Sequence, residues 1–292
     1  MKTFREAIRT RDFAVTVRLG LRPETDAAAI REKAKLLRNH VDAVLVTDNQ
    51  LGMLHMSTLA ASVLLVQNRV DPIMQLSCRN RNRIALLNDL FGAAALGVTS
   101  LLLVRGHKVP KKIKPRPKVM LDLTATELIA TAMTMKSDEE VGAFSDFFIG
   151  GAVTLHDPDP DWVPNRLIAK IDAGAQFVQM PVCMDMDLLR RYMKHLVANK
   201  LIRHVSVIAS TALLPSAEAA CWLRDNWRNA QIPDAIIDRL DQSVDSDKEG
   251  IKICVEHLQE LAEIPGVSGT TIVPGANLAV IPDLIRTANL TS

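Results

Sequence analysis

Cysteine is scarce and scattered in this chain: four among 292 residues, Cys78, Cys183, Cys221 and Cys254, with no C-x-x-C pair. Such spacing argues against a disulfide frame or a zinc site and for free thiols in a reducing compartment. Aromatic residues make up only 4% of the chain, and none interleaves with its one basic run, Lys108–Lys118. The stacking surface of a single-strand nucleic-acid binder is therefore missing. Excess charge is missing too. Lys and Arg number 35 against 33 Asp and Glu, a net charge of +2, too even for nucleic-acid binding by electrostatics. No apolar run approaches the roughly 20 residues that span a bilayer. The N-terminal MKTFREAIRTRDF is charged and has no signal-peptide core. The expectation is a soluble, cytoplasmic protein with no membrane or nucleic-acid partner. Three motifs are also absent: G-x-G-x-x-G, any H-x-x-x-H or H-E-x-x-H, and G-x-S-x-G. Their absence removes the dinucleotide fingerprint, a histidine metal site and the hydrolase elbow. No metal is expected.

What the chain has is alternation. Apolar residues are 48% and charged residues 23%, an ordinary globular balance. Short β-branched runs predict strands at Ala14–Leu19, Ala43–Thr47, Pro72–Leu76, Ser100–Val104, Phe147–Ala152, Phe177–Met180, Val205–Ala209 and Gly269–Val273. Between them lie helical patterns. In the first, Ile30, Ala34, Leu37 and Val41 recur at spacings of three and four, with Arg31, Glu32, Lys33 and Lys35 on the other face. Strands separated by helices pair in parallel. Eight such units predict a single (β/α)8 barrel of the TIM type, one domain over residues 1–292. An open doubly wound sheet is the runner-up and normally needs fewer strands.

Function in such a barrel collects at the carboxyl ends of the strands. Thr47-Asp48-Asn49-Gln50 crowds four hydrogen-bonding side chains there, a pattern equally suited to a cap and turn. Gln75, Ser77 and Arg79 share one side by period-two spacing. Arg105-Gly106-His107 joins a fixed charge, a glycine that admits close approach and a titratable ring. Gly150-Gly151-Ala152 removes bulk, either to relieve packing or to admit a flat ligand. Met180 and Met184 are candidates to line the mouth, Met186 and Met193 to pack in the core. The residues alone point to a polar, partly basic mouth suited to a phosphate-bearing cofactor or an anionic substrate.

At these loops the sequence resembles the methylenetetrahydrofolate reductase family. The resemblance rests on Val46-Thr47-Asp48-Asn49, on Gln75-Leu76-Ser77-Cys78-Arg79-Asn80-Arg81-Asn82-Arg83 followed by Gly92–Gly97, and on Lys170-Ile171-Asp172-Ala173-Gly174-Ala175. Ile232-Pro233-Asp234, Gly250-Ile251 and Pro265–Gly269 follow in the family's order. The resemblance implies FAD at the carboxyl-end face. It also implies interconversion of 5,10-methylenetetrahydrofolate and 5-methyltetrahydrofolate, with NAD(P)H as electron donor or NAD(P)+ as acceptor. It assigns cofactor contacts to Thr47, Gln75, Arg105, Gly106, His107, Gly151, Ala152 and Lys170, and substrate contacts to Asp48 and Gln179.

Three departures fall on the substrate side. The family's first-strand acid becomes Arg18, its Gly-Asp pair becomes Gly106-His107, and its Thr-Gln pair becomes Met180-Pro181, with Gln179 in reach after a register shift. Arg18 and His107 thereby stand at the catalytic positions. An arginine is a poor general acid but a good bidentate partner for carboxylate or phosphate. Positive charge beside a flavin favours its reduced anion, so the expected poise is toward oxidising the folate methyl group. Two alternatives remain: a non-catalytic flavin- or folate-binding subunit of a partner enzyme, and a folate-dependent methyl-transfer protein without redox chemistry. Assembly as a homo-oligomer or with a heteromeric partner is expected. The basic run reads as a solvated loop held extended by its prolines, and less readily as a grip for polyglutamate or pyrophosphate.

Overall fold

The computed structural model describes residues 2–108, 113–115, 117–135, 146–227 and 229–290. Part of the basic run, 109–112 and 116, lies outside them. The chain opens with α1 (Phe4–Thr10), β1 (Ala14–Leu19), α2 (Ala27–Leu37), β2 (Ala43–Val46), α3 (Thr58–Gln67), β3 (Pro72–Ser77), α4 (Arg83–Ala95) and β4 (Ser100–Val104). It continues through α5 (Ala125–Thr134), β5 (Phe148–Ala152), α6 (Asn165–Asp172), β6 (Phe177–Val182), α7 (Met186–Ala198) and β7 (Ser206–Ala212). Then come α8 (Ala217–Asn226), α9 (Asp234–Asp241), α10 (Ser246–Glu263), β8 (Val267–Val273) and α11 (Ile281–Thr287). The eight strands pair in parallel, in chain order, and β8 closes on β1. This is the expected (β/α)8 barrel. Among the described residues, no helix is long and apolar enough to cross a membrane.

Period two decides which side chains face the barrel's interior. On β1, Val15, Val17 and Leu19 pack outward with Ile30, Ala34 and Leu37 of α2. Ala14, Thr16 and Arg18 take the opposite, inner face. Helix starts are fixed by side-chain caps: Asp26, Ser57 and Asn82 each accept a backbone N–H of the first turn, and Thr124 with Glu127 forms a reciprocal box.

Helix α1 was not expected from the apolar pattern. Seven residues are too few to show a period, although Thr3 and Glu6 form a capping box. Its Phe4 closes the N-terminal end of the barrel, edge-on to Phe148 at 5.7 Å and to Phe177 at 5.3 Å between ring centroids. Phe148 and Phe177 stack at 5.0 Å. Each such contact contributes about 0.5–1.5 kcal/mol beyond burial. Gly150 makes this plug possible, since a Cβ there would come within 2.3 Å of the Phe177 ring. Of the two uses foreseen for the β5 glycines, this one relieves packing.

Above the plug, a polar chain crosses the interior. Thr16 Oγ1 and Thr271 Oγ1 lie 2.7 Å apart, and Thr271 donates to Gln179 Oε1 at 3.0 Å. Gln179 Nε2 donates to Ser210 Oγ at 2.8 Å, and Ser210 donates to the Met180 carbonyl at 2.8 Å. Four strands are thus tied by side chains as well as by the backbone ladder.

Candidate active site at the barrel mouth

The carboxyl ends of the strands bring Arg18, Thr47, Gln75, Arg105, Gly106 and Ala152 around one opening. Arg18 follows Thr16 on the inner face of β1, so its guanidinium stands above the polar chain. It lies 4.4 Å from the ring centroid of Trp227. Loss of water around the guanidinium pulls its pKa down to about 9, which still leaves about 99% charged at pH 7. Arg18 Nε and Trp227 Nε1 are both buried donors without a hydrogen-bond partner. Two unmatched N–H groups on stacked planes carry a desolvation cost that an acceptor-rich ligand would relieve.

Trp227 is not among the strand-end residues of the sequence, because it follows a helix, α8. It reaches the mouth because the chain after it doubles back beside β6. There Gln231 N–H donates to the Val182 carbonyl at 2.9 Å, and Met184 N–H to the Gln231 carbonyl at 2.7 Å. No local signal marks this return; the isolated Cys183–Gln231 bridge is a tertiary event.

On the β2–β5 side, Thr47 is buried, with its hydroxyl 3.4 Å from the Leu19 carbonyl. Gln75 is buried and on the inner face of β3, and Arg105 is exposed past β4. Neither side chain makes a hydrogen bond or ion pair among the described residues. Gly106 adopts φ +88°, and a Cβ there would press to 2.7 Å from Ser77; only glycine lets the two strand ends approach so closely. His107 is partly buried. Ala152 is exposed at the rim.

Other sequence candidates have different surroundings. Asp48 is 1% exposed. It accepts from Ser77 N at 2.8 Å, Ser77 Oγ at 2.7 Å and Arg81 Nη1 at 2.6 Å, which locks the ends of β2 and β3 together. Gln179 faces inward at the start of the register shift that separates it from Val182 in the β6–β7 pairing, and its amide belongs to the polar chain described above. Met180 therefore faces outward and packs with Tyr192 and Leu189 of α7, away from the mouth, and Met184 is buried beside Ile232. Gly151 lies on the outer face of β5, where a Cβ would come within 2.8 Å of the Lys170 stem. Lys170 donates to the Arg166 carbonyl at 3.1 Å, and burial lowers its pKa. Among the described residues, no group of three or more His, Cys, Asp or Glu could hold a metal ion.

The unpartnered Gln75 amide, the unpaired Arg105 and the Gly106 turn fit a flat, polar-edged cofactor with a phosphate tail. The fit is confined to the β2–β5 rim.

Comparison with known proteins agrees with this architecture. One solved structure, an uncharacterized protein from Clostridium thermocellum that binds two copies of 5-methyl-5,6,7,8-tetrahydrofolic acid, superposes with a TM-score of 0.66 at 12% identity, covering 98% of each chain. Oxaloacetate acetylhydrolase gives 0.54 at 11% identity, covering 99% of this chain and 82% of its own. A 2,3-dimethylmalate lyase gives 0.51 at 13%, covering 97% and 83%. At such identities the likeness is one of fold. No curated protein matches. The family model for methylenetetrahydrofolate reductase matches residues 22–274, so the chain belongs to the methylenetetrahydrofolate reductase family.

Proposed function

We propose that this protein is a flavin-dependent oxidoreductase that interconverts 5-methyltetrahydrofolate and 5,10-methylenetetrahydrofolate at the barrel mouth, poised toward methyl-group oxidation. The observation that carries the proposal is the division of the rim. Gln75 and Arg105 offer unengaged polar groups on one side, and Arg18 with Trp227 offers two unmatched donors on the other. A methyltetrahydrofolate-binding neighbour of the same fold supports the substrate class.

FAD, when bound, would accept or deliver the hydride. Gln75 would hold a ring edge, Arg105 would pair with phosphate, and the Gly106 turn with Thr47 and Ala152 would leave room for the ring. Gly151 and Lys170, behind β5, would support that wall. Arg18 would bind and orient the folate, since it stays protonated and cannot cycle a proton. His107 would handle the proton, an imidazole being able both to accept and to donate one. NAD(P)H or NAD(P)+ would be the second redox partner.

Anaerobic titration tests this. Protein dialysed against FAD should retain it, and 5-methyltetrahydrofolate should bleach its absorbance. Arg18→Glu and His107→Asp should each lower the flavin midpoint potential, because each introduces a negative charge. Failure to retain FAD, or no bleaching by methyltetrahydrofolate, NADH or NADPH, would overturn the assignment. One observation favours a second reading, a folate-binding subunit without catalysis: Asp48, a carboxylate just past β2, is engaged by Ser77 and Arg81. A colourless protein that still binds methyltetrahydrofolate would establish that reading instead.

A further inference from the structure

At the end of the barrel opposite the mouth, the loops entering β1, β2 and β3 enclose a cavity of about 280 Å³. Lys2 and Arg11 flank it from either end of α1. Arg38, His40 and Asp42 come from the loop before β2, and Arg69 and Asp71 from the loop before β3. The charges do not cancel. Asp42 is already met by Arg11 Nε at 2.8 Å and by the Val15 N–H at 2.8 Å. Lys2, Arg38 and Arg69 are exposed and have no ion-pair partner among the described residues. Beneath them Asp71 is 2% exposed. One of its oxygens accepts the Phe4 N–H at 2.7 Å, and the other has no hydrogen-bond partner.

We infer that this cavity is an anion site for a phosphate-class dianion, held by Arg38, Arg69 and Lys2. Cations arriving from three loops surround a tetrahedral anion more evenly than a planar carboxylate. The guanidinium groups supply paired donors and the lysine a point charge. The floor is compatible with an anion because Asp71 is a weak acid there. Burial pushes it up to about 7, against the Phe4 hydrogen bond and with Glu6 of α1 adding to the rise. An anion overhead favours the neutral acid, so binding takes up a proton and strengthens as pH falls through that value.

Isothermal titration of the full chain with sulfate isolates these effects, because sulfate remains dianionic across the neutral range. Saturable binding is expected at about pH 6, weakening about threefold or more by about pH 8. Arg38→Gln combined with Arg69→Gln, both surface changes, should lower affinity about a hundredfold without moving the thermal midpoint. Inorganic phosphate should give the same ranking. Asp71→Asn should keep the site and flatten its pH dependence, whereas His40→Gln should preserve most of it. Absence of saturable binding in the wild type, or unchanged affinity in the double arginine variant, would overturn the site. A pH dependence that survives Asp71→Asn and disappears in His40→Gln would overturn the part given to Asp71.

Discussion

The two halves of the barrel mouth use polar side chains in opposite ways. From β6 round to β1, Gln179, Ser210, Thr271 and Thr16 bond to one another, and Arg18 is covered by Trp227. From β2 to β5, Asp48 is tied to Ser77 and Arg81, but Gln75 and Arg105 make no such bonds among the described residues. Both halves look alike in sequence, as polar residues past apolar strands. What separates them is whether the fold satisfies each group internally, because a buried group that already has partners gains little from a ligand. The chain centred on Gln179 therefore serves stability, and the groups left unengaged are Gln75 and Arg105 in the second half and the Nε donors of Arg18 and Trp227 beside the first.

The sharpest way to break this contrast is to remove one residue from each half. Gln179→Leu strips the polar chain of its central amide and leaves Ser210 and Thr271 seeking partners inside the barrel. The expected cost is about 3 kcal/mol of unfolding free energy, seen as a lower urea midpoint, with FAD affinity within about twofold of wild type. Gln75→Leu and Arg105→Gln should do the reverse: each weakens FAD about tenfold, equivalent to about 1.4 kcal/mol, while the urea midpoint holds. If both classes of variant lost stability and affinity together, the mouth would be one cooperative unit and the contrast would fail.

Much of the scaffold was legible because period two and helical spacing are local. The expected strands Ala14–Leu19 and Ser100–Val104 coincide with β1 and β4. The inner position of Arg18 also follows from alternation with Val17 and Leu19. Alternation likewise explains why Met180 leaves the mouth: it follows the inward Gln179. What escaped was set by distant parts of the chain. Trp227 arrives at the mouth through the Gln231–β6 pairing, and α1 is held by Asp71, far from it in sequence. The β5 glycines showed that bulk was missing but not what takes its place. Phe177 fills the space at Gly150, and the Lys170 stem covers Gly151.

The finest test concerns the contact between Arg18 of β1 and Trp227 at the start of the returning segment. The guanidinium of Arg18 and the indole of Trp227 stack with both Nε donors unmatched, so the stack is held by the cation–π attraction and by exclusion of water. Such a pair is worth about 1 kcal/mol where partly desolvated. Arg18→Met alone removes a buried charge along with the contact, and Trp227→Leu alone opens the guanidinium to water. The single variants thus mix several effects. A double-mutant cycle cancels them and leaves the interaction itself. The coupling measured by urea unfolding should be about 1 kcal/mol without ligand. It should shrink when methyltetrahydrofolate is bound, because a ligand that bonds to both donors draws the guanidinium and the indole toward itself and away from each other. A coupling that ligand leaves unchanged would mean that the pair is a strut of the barrel, and Arg18 would then belong with the internally satisfied half of the mouth.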